Sequence, residues 1–278
     1  MSVARIDRWD WLLASITLAT LASLIHWLLH YVTRTAGKDS AADDTWLHLL
    51  NTRLLRTIES PWVTFPLRLI YAIGIPAAAL FWQGALTARG LGLQPMVAVT
   101  LALPGADDVA QIGEPGQTWG DDLTRLVVVA GVTVLAIGAG LRISRRLAPQ
   151  STTGKRNLGV AILEAVYHET HWAFYREPFV YSWGISLGSW LGALPALLET
   201  GVNLVFWERM HAHGAAYQRQ ILVRAGLFVA STQLYLLTQN LWLTIALDAL
   251  VGWLALRWSN QSAIPGQSVT SEAITTIR

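Results

Sequence analysis

The sequence contains no cysteine. That removes disulfides, thiol nucleophiles and thiolate metal sites together, and leaves the redox compartment unread. Charge is scarce as well: Asp, Glu, Lys and Arg make up 14% of the 278 residues, against about 25% in a soluble domain. A net charge of +2 is too small to argue for a nucleic-acid partner. No signal-peptide pattern with a small-residue cleavage site opens the chain, so the first apolar segment is expected to stay. Strand-length alternation of polarity, which a transmembrane barrel needs, is missing, and no convincing internal repeat is seen.

What is abundant is apolar surface, 53% of the residues, gathered into long runs with the charges between them. Hydrocarbon cannot hydrogen-bond a backbone, so apolar runs that cross it must be closed helices or closed barrels. A helical run of about 20 residues rises roughly 30 Å, the thickness of the hydrocarbon core. The expected fold is therefore all-α, a polytopic transmembrane bundle of about seven spans.

The spans are read as Trp11 to Tyr31, Pro61 to Leu86, Leu126 to Leu141 (with Leu123 added because it is short), Leu158 to Tyr175, Phe179 to Leu198, Ile221 to Leu237 and Leu241 to Leu256. Pro66 and Pro76 predict a kink in the second. Thr45 to Ile58, with Arg53 and Arg56 between apolar residues at helical spacing, reads as an amphipathic surface helix. Residues 87–122 form a long acidic connection with Asp107, Asp108, Glu114, Asp121 and Asp122. A basic turn carries Arg142, Arg145, Arg146, Lys155 and Arg156, broken by Pro149 and Gly154. Val202 to Gln220 is a polar connection, and the Ser/Thr-rich tail from Ser259 to Arg278 is read as disordered. Three regions follow: 1–60, an N-terminal span plus the surface helix; 61–257, the main bundle; and 258–278, the tail. Short cytoplasmic loops favour Lys and Arg, which puts the basic turn and the 199–220 connection inside, the acidic loop outside and the N-terminus outside.

Ionisable residues inside apolar segments carry the functional information, because each costs roughly 2.5–3.5 kcal/mol at a membrane-helix centre on insertion scales. The densest set runs from Glu164 to Arg176 (EAVYHETHWAFYR). Glu164, His168 and His171, four and three apart, share one helical face; Glu169 and Arg176, seven apart, share a neighbouring one. Three readings compete: a polar rim neutralised by ion pairs, a water-activating acid/base site, and a metal site using His168, His171 and Glu164. The third is weak without the His–Glu–x–x–His pattern, and no cofactor is expected. A second set is Glu208, Arg209, His211 and His213, which alone reads as an ordinary polar loop or helix end. Asp248, lone within the last span, is expected to face the bundle interior.

These sets, in this order, resemble the CPBP family of intramembrane proteases, the CAAX-protease and bacteriocin-processing group. Arg89 to Pro95 (RGLGLQP) looks like its "GLRP" element. His171 to Arg176 (HWAFYR) looks like the end of its first motif, and Trp207 to His211 like its second. Thr238 to Leu250 (TQNLWLTIALDAL) looks like its final helix. The likeness covers roughly residues 60 to 257, and the last stretch is its most specific part. Arg176, Trp207 and His211 match cleanly. The family's paired glutamates, five and four residues before the arginine, are replaced by His171 and Trp172. Its final histidine is replaced by Asp248, and the Asn or Asp four residues on by Gly252.

The resemblance implies a membrane-embedded peptidase with an altered glutamate/histidine site. Glu164 or Glu169 would be the base, His171 and His211 would stabilise the oxyanion, and Arg176 would orient the carboxylate, with Asp248 in the last position. The loss of the glutamate pair and of the final histidine leaves open an inactive relative that acts as a scaffold or a lipid or peptide binder. A small ion-coupled carrier is a third possibility, for which the expected half-to-half symmetry is missing. The implied partners are the lipid bilayer and a membrane peptide or protein substrate. The expected location is the plasma membrane of a prokaryote.

Overall fold

A computed structural model describes residues 7–36, 53–54, 56–58, 60–82, 86–87, 91–93, 115–147 and 158–260. Every extended element among them is helical. In chain order these are α1 (Arg8–Ala36), α2 (Pro61–Leu69), a π turn (Ile70–Gly74), α3 (Ile75–Phe81), α4 (Pro115–Leu147), α5 (Leu158–Leu191), α6 (Ala193–Val202), α7 (Leu204–Thr238) and α8 (Leu241–Asn260). Among the described residues, four helices are long and apolar enough to cross a membrane: Arg8–Val32, Trp62–Phe81, Trp119–Ser144 and Tyr217–Thr238. The bent pair Leu158–Leu191 and Ala193–Val202 makes a fifth candidate, and Leu241–Ala255 is a shorter apolar helix. By length and composition, then, four or five candidates stand where the sequence suggested seven.

Outward surfaces are apolar. Leu13 and Leu18 on α1, Val127 and Leu135 on α4 and Leu197 on α6 are all exposed, the arrangement hydrocarbon favours and water does not. Inside, Ile137 and Leu141 of α4, Leu227 and Leu234 of α7, and Leu247 and Val251 of α8 form one apolar core. A second joins Leu12 of α1, Ala79 and Leu80 of α3, Phe174 and Tyr175 of α5, and Leu241 of α8.

The chain doubles back inside α5. Gly184 takes φ 76° and ψ 170°, a conformation open to glycine. Beyond it, a methyl group placed on Gly188 would lie 2.4 Å from the Val180 Cα, and one on Gly192 would lie 2.6 Å from the Arg176 Cα. In a straight helix those partners would be about 12 and 24 Å apart along the axis, so the two arms of α5 run antiparallel, backbone against backbone. Glycines four residues apart allow that approach, as in small-residue membrane contacts. The reversal falls at Gly184, not at the Arg176–Pro178 break expected between the fourth and fifth spans.

Other boundaries also move. The helix of the third span begins at Pro115, so Asp121 and Asp122 belong to it rather than to a loop. Asp122 is buried and accepts from Arg125 at 3.2 Å, one helical turn on. Arg142, Arg145 and Arg146 are the helix's last turns rather than a connection. Residues 204–220 are helical and continuous with the rest of α7, capped at the start by Asn203, whose side chain accepts from the Phe206 N–H at 3.0 Å. The proline-driven irregularity in the second span takes the form of the π turn just before Pro76. In the proposed surface helix, Arg53, Leu54, Arg56 and Thr57 are helical and exposed. The remainder of that segment, Asp107, Asp108, Glu114, Lys155, Arg156 and the tail beyond 260 lie outside the described residues.

Candidate functional site

α5 positions the site, because its first arm carries an ionisable group on nearly every turn. The helical spacing that separates Glu164, His168 and His171 from Glu169 and Arg176 also decides which neighbour each meets. Glu169 and Arg176 turn toward α7 and α8; Glu164 and His171 turn toward α2 and the π turn.

On the first face, Glu169 is 1% exposed. Its Oε2 accepts a 2.6 Å hydrogen bond from the Ser231 hydroxyl of α7. Thr244 of α8 stands beside the same carboxylate, although its hydroxyl also lies 2.9 Å from the Leu241 carbonyl and has one proton to give. Asp248, one turn further along α8, is close enough to act electrostatically on Glu169. Its Oδ2 lies 3.7 Å from His168 Nδ1, an ion pair when the imidazole is protonated. His168 is the open member of the group, with two-fifths of its side chain exposed. On its other side Glu199 of α6 is within electrostatic reach. The centre is thus Asp248, His168 and Glu199, with the buried Glu169 carboxylate and the Ser231 hydroxyl behind.

Arg176 continues this face toward the Gly184 end. It is 4% exposed, and its guanidinium lies 3.2 Å from the centroid of the buried Tyr235 ring. Its neighbour Glu177, about 100° around the helix, faces α1 instead and accepts from Arg8 at 3.0 Å.

On the opposite face, Tyr71 of the π turn and Tyr175 hydrogen-bond through their hydroxyls at 2.8 Å, and the Tyr175 hydroxyl lies 2.9 Å from Glu199 Oε2. His171 is packed between these rings, with centroids 4.4 Å from Tyr71 and 4.3 Å from Tyr175. Neither of its ring nitrogens has a hydrogen-bond partner among the described residues.

Several expectations are corrected by this geometry. Glu164 is not in the centre: Arg68 of α2 grips both its oxygens, at 2.6 and 2.7 Å. His171 is enclosed by the Tyr71 and Tyr175 rings. His211 is exposed, with its Nδ1 2.7 Å from the Trp207 carbonyl. It lies twenty residues before Ser231 on one continuous helix, about 30 Å away. The metal reading loses its pair as well, since His168 turns to Asp248 and His171 to Tyr71 and Tyr175. No group of three His, Asp or Glu side chains is set to hold an ion among the described residues. Glu169, Asp248 and Arg176 do converge on one region of α5, α7 and α8, and Asp248 faces the interior as expected.

Ser231, Tyr235 and Thr244 escaped the sequence reading. A signal for two of them was present: Ser231, Tyr235 and Thr238 are spaced four and three along α7, on one face of the helix. Thr244 and Asp248 repeat the four-residue spacing on α8.

No protein-family model, curated protein or solved structure matches this chain.

Proposed function

We propose that this chain is a membrane-embedded hydrolase of peptide bonds, of the CPBP-like kind, working through His168, Asp248 and Glu169. The observation that carries the reading is the meeting of His168 with Asp248 at the open edge of the buried Glu169–Ser231 pair. Asp248, 3.7 Å from Nδ1, would stabilise the imidazolium that forms when Nε2 takes a proton from water, the arrangement general-base catalysis needs. The hydroxide oxygen adds to the peptide carbonyl, and the resulting oxyanion needs donors at hand. On collapse the C–N bond breaks and the imidazolium returns its proton to the leaving amine. Glu169 supplies a second carboxylate that can hold or release a proton beside Asp248. The expected setting is a prokaryotic plasma membrane, and the substrate a membrane peptide or protein.

The test is cleavage of quenched fluorogenic transmembrane peptides by purified protein in proteoliposomes. His168→Ala and Asp248→Asn should each slow cleavage by roughly 10²–10⁴-fold, the range general acid–base groups contribute. Wild-type rates in either variant would overturn the assignment. A second reading is favoured by the near-complete burial of Glu169 and by its commitment to Ser231: the cluster locks three helices and the protein is a non-catalytic scaffold or binder. Absence of any cleavage by the wild-type protein would select it.

A further inference from the structure

We propose that Arg176 is the anchor of a binding site for the carboxylate of an apolar-chain ligand. The guanidinium is enclosed, and among the described residues its Nε and Nη2 have no hydrogen-bond partner. Those two atoms form one edge of the planar fork, with parallel N–H bonds that a carboxylate receives through both oxygens. Burying a guanidinium with these bonds unmade is costly, and native proteins tolerate such gaps chiefly where a ligand or a reaction uses them.

The neighbourhood holds the fork in place without filling it. Tyr235 lies against the guanidinium face, with its hydroxyl within hydrogen-bond reach of the group, while the Nε and Nη2 edge stays unpartnered among the described residues. The second arm of α5 presses Gly192 onto the Arg176 backbone, so the helix on which the fork stands cannot shift far. Neither nearby carboxylate hydrogen-bonds the fork: Glu169 lies within electrostatic reach of Arg176 but accepts from Ser231, and Glu177 accepts from Arg8 across the other side of the helix. One bound carboxylate would pair with the buried guanidinium charge. The ligand's remainder should be apolar, because α5 itself exposes Trp183 and Leu187 beyond Arg176, where hydrocarbon is the solvent. This inference does not depend on the hydrolase reading.

The experiment uses the full-length protein in dodecyl maltoside micelles and three probes of one chain length: dodecanoate, dodecanol and dodecyl phosphate, at a pH that ionises both acids. A ligand that binds the folded state raises the midpoint of thermal unfolding. Dodecanoate should raise it saturably, dodecanol should not, and Arg176→Lys, which keeps the charge but loses the fork, should abolish the shift. An equal shift with dodecanol, or an undiminished shift in Arg176→Lys, would overturn the site. A larger shift with dodecyl phosphate than with dodecanoate would overturn the carboxylate as its ligand. If Arg176→Lys does not fold, the comparison of the three probes on the wild-type protein still decides.

Discussion

The Ser231 hydroxyl donates to the Glu169 carboxylate at 2.6 Å, with both side chains buried, and so ties α7 to the first arm of α5 in the interior. A hydrogen bond to a charged group in such a place contributes about 1.5–3 kcal/mol in soluble proteins and about 1–2 kcal/mol in membrane model peptides. Ser231→Ala should therefore lower stability in detergent by about 1–3 kcal/mol, because the carboxylate is left short of a donor. Glu169→Gln keeps an acceptor for Ser231 and should cost less. Thermal or denaturant unfolding of the two variants checks the order. Equal stability of Ser231→Ala and wild type would mean that Glu169 finds another donor.

The antiparallel arms of α5 give a sharper test of packing. Gly188→Ala and Gly192→Ala each put a methyl group within 2.6 Å of backbone atoms of the facing arm, and backbone cannot rotate out of the way as a side chain can. Each should destabilise by about 1–3 kcal/mol or more, the range for overpacking. Gly131→Ala in α4 is the control, since nothing lies within 4 Å of the added methyl. Removing a helix-interior glycine there should stabilise by about 0.5–1 kcal/mol. The opposite signs of the two effects separate close approach from helix propensity.

The Arg68–Glu164 pair, bidentate but with Arg68 49% and Glu164 22% exposed, predicts a modest effect. Partly exposed ion pairs contribute about 0–1 kcal/mol, so a double-mutant cycle on Arg68→Met and Glu164→Gln should give a coupling below about 1 kcal/mol. Any hydrolysis should survive Glu164→Gln and His211→Ala, because one residue is held by Arg68 and the other lies about 30 Å down α7. Loss of cleavage in either would return that residue to the centre.

These outcomes turn on how far the residues foretold the site. The two faces of α5 were legible, because helical spacing alone separates Glu164, His168 and His171 from Glu169 and Arg176. The partners were not, because the register of one helix against another leaves no mark in either sequence: Arg68 for Glu164, and Ser231 for Glu169, follow only from packing. The break between the fourth and fifth spans was placed at Arg176–Pro178 because two charges and a proline suggest a surface. Tyr235 and Arg8 accommodate those charges inside the bundle, and the turn moved to Gly184, the residue whose φ of 76° suits glycine. His211 entered the candidate list through resemblance to a motif, and the length of α7 takes it away.

The absence of cysteine allows the topology to be read chemically, one introduced thiol at a time. If the arms of α5 form a transmembrane hairpin, Ser182, beside the Gly184 turn, and Gly201, at the end of α6, lie at opposite ends of the second arm. From the Gly184 turn to Gly201 the second arm and α6 rise at most about 26 Å, with a 49° bend between them, near the hydrocarbon thickness, and both positions are exposed. Ser182→Cys and Gly201→Cys should therefore react with a membrane-impermeant maleimide from opposite sides of a sealed vesicle. The positive-inside rule assigns Gly201 to the cytoplasmic side with the basic end of α4, so right-side-out vesicles should label Ser182→Cys directly and Gly201→Cys only after permeabilisation. Labelling of both from one side would show that the second arm does not cross the membrane. The reverse assignment would keep the hairpin and invert the protein, leaving the His168–Asp248 edge unchanged within the bundle.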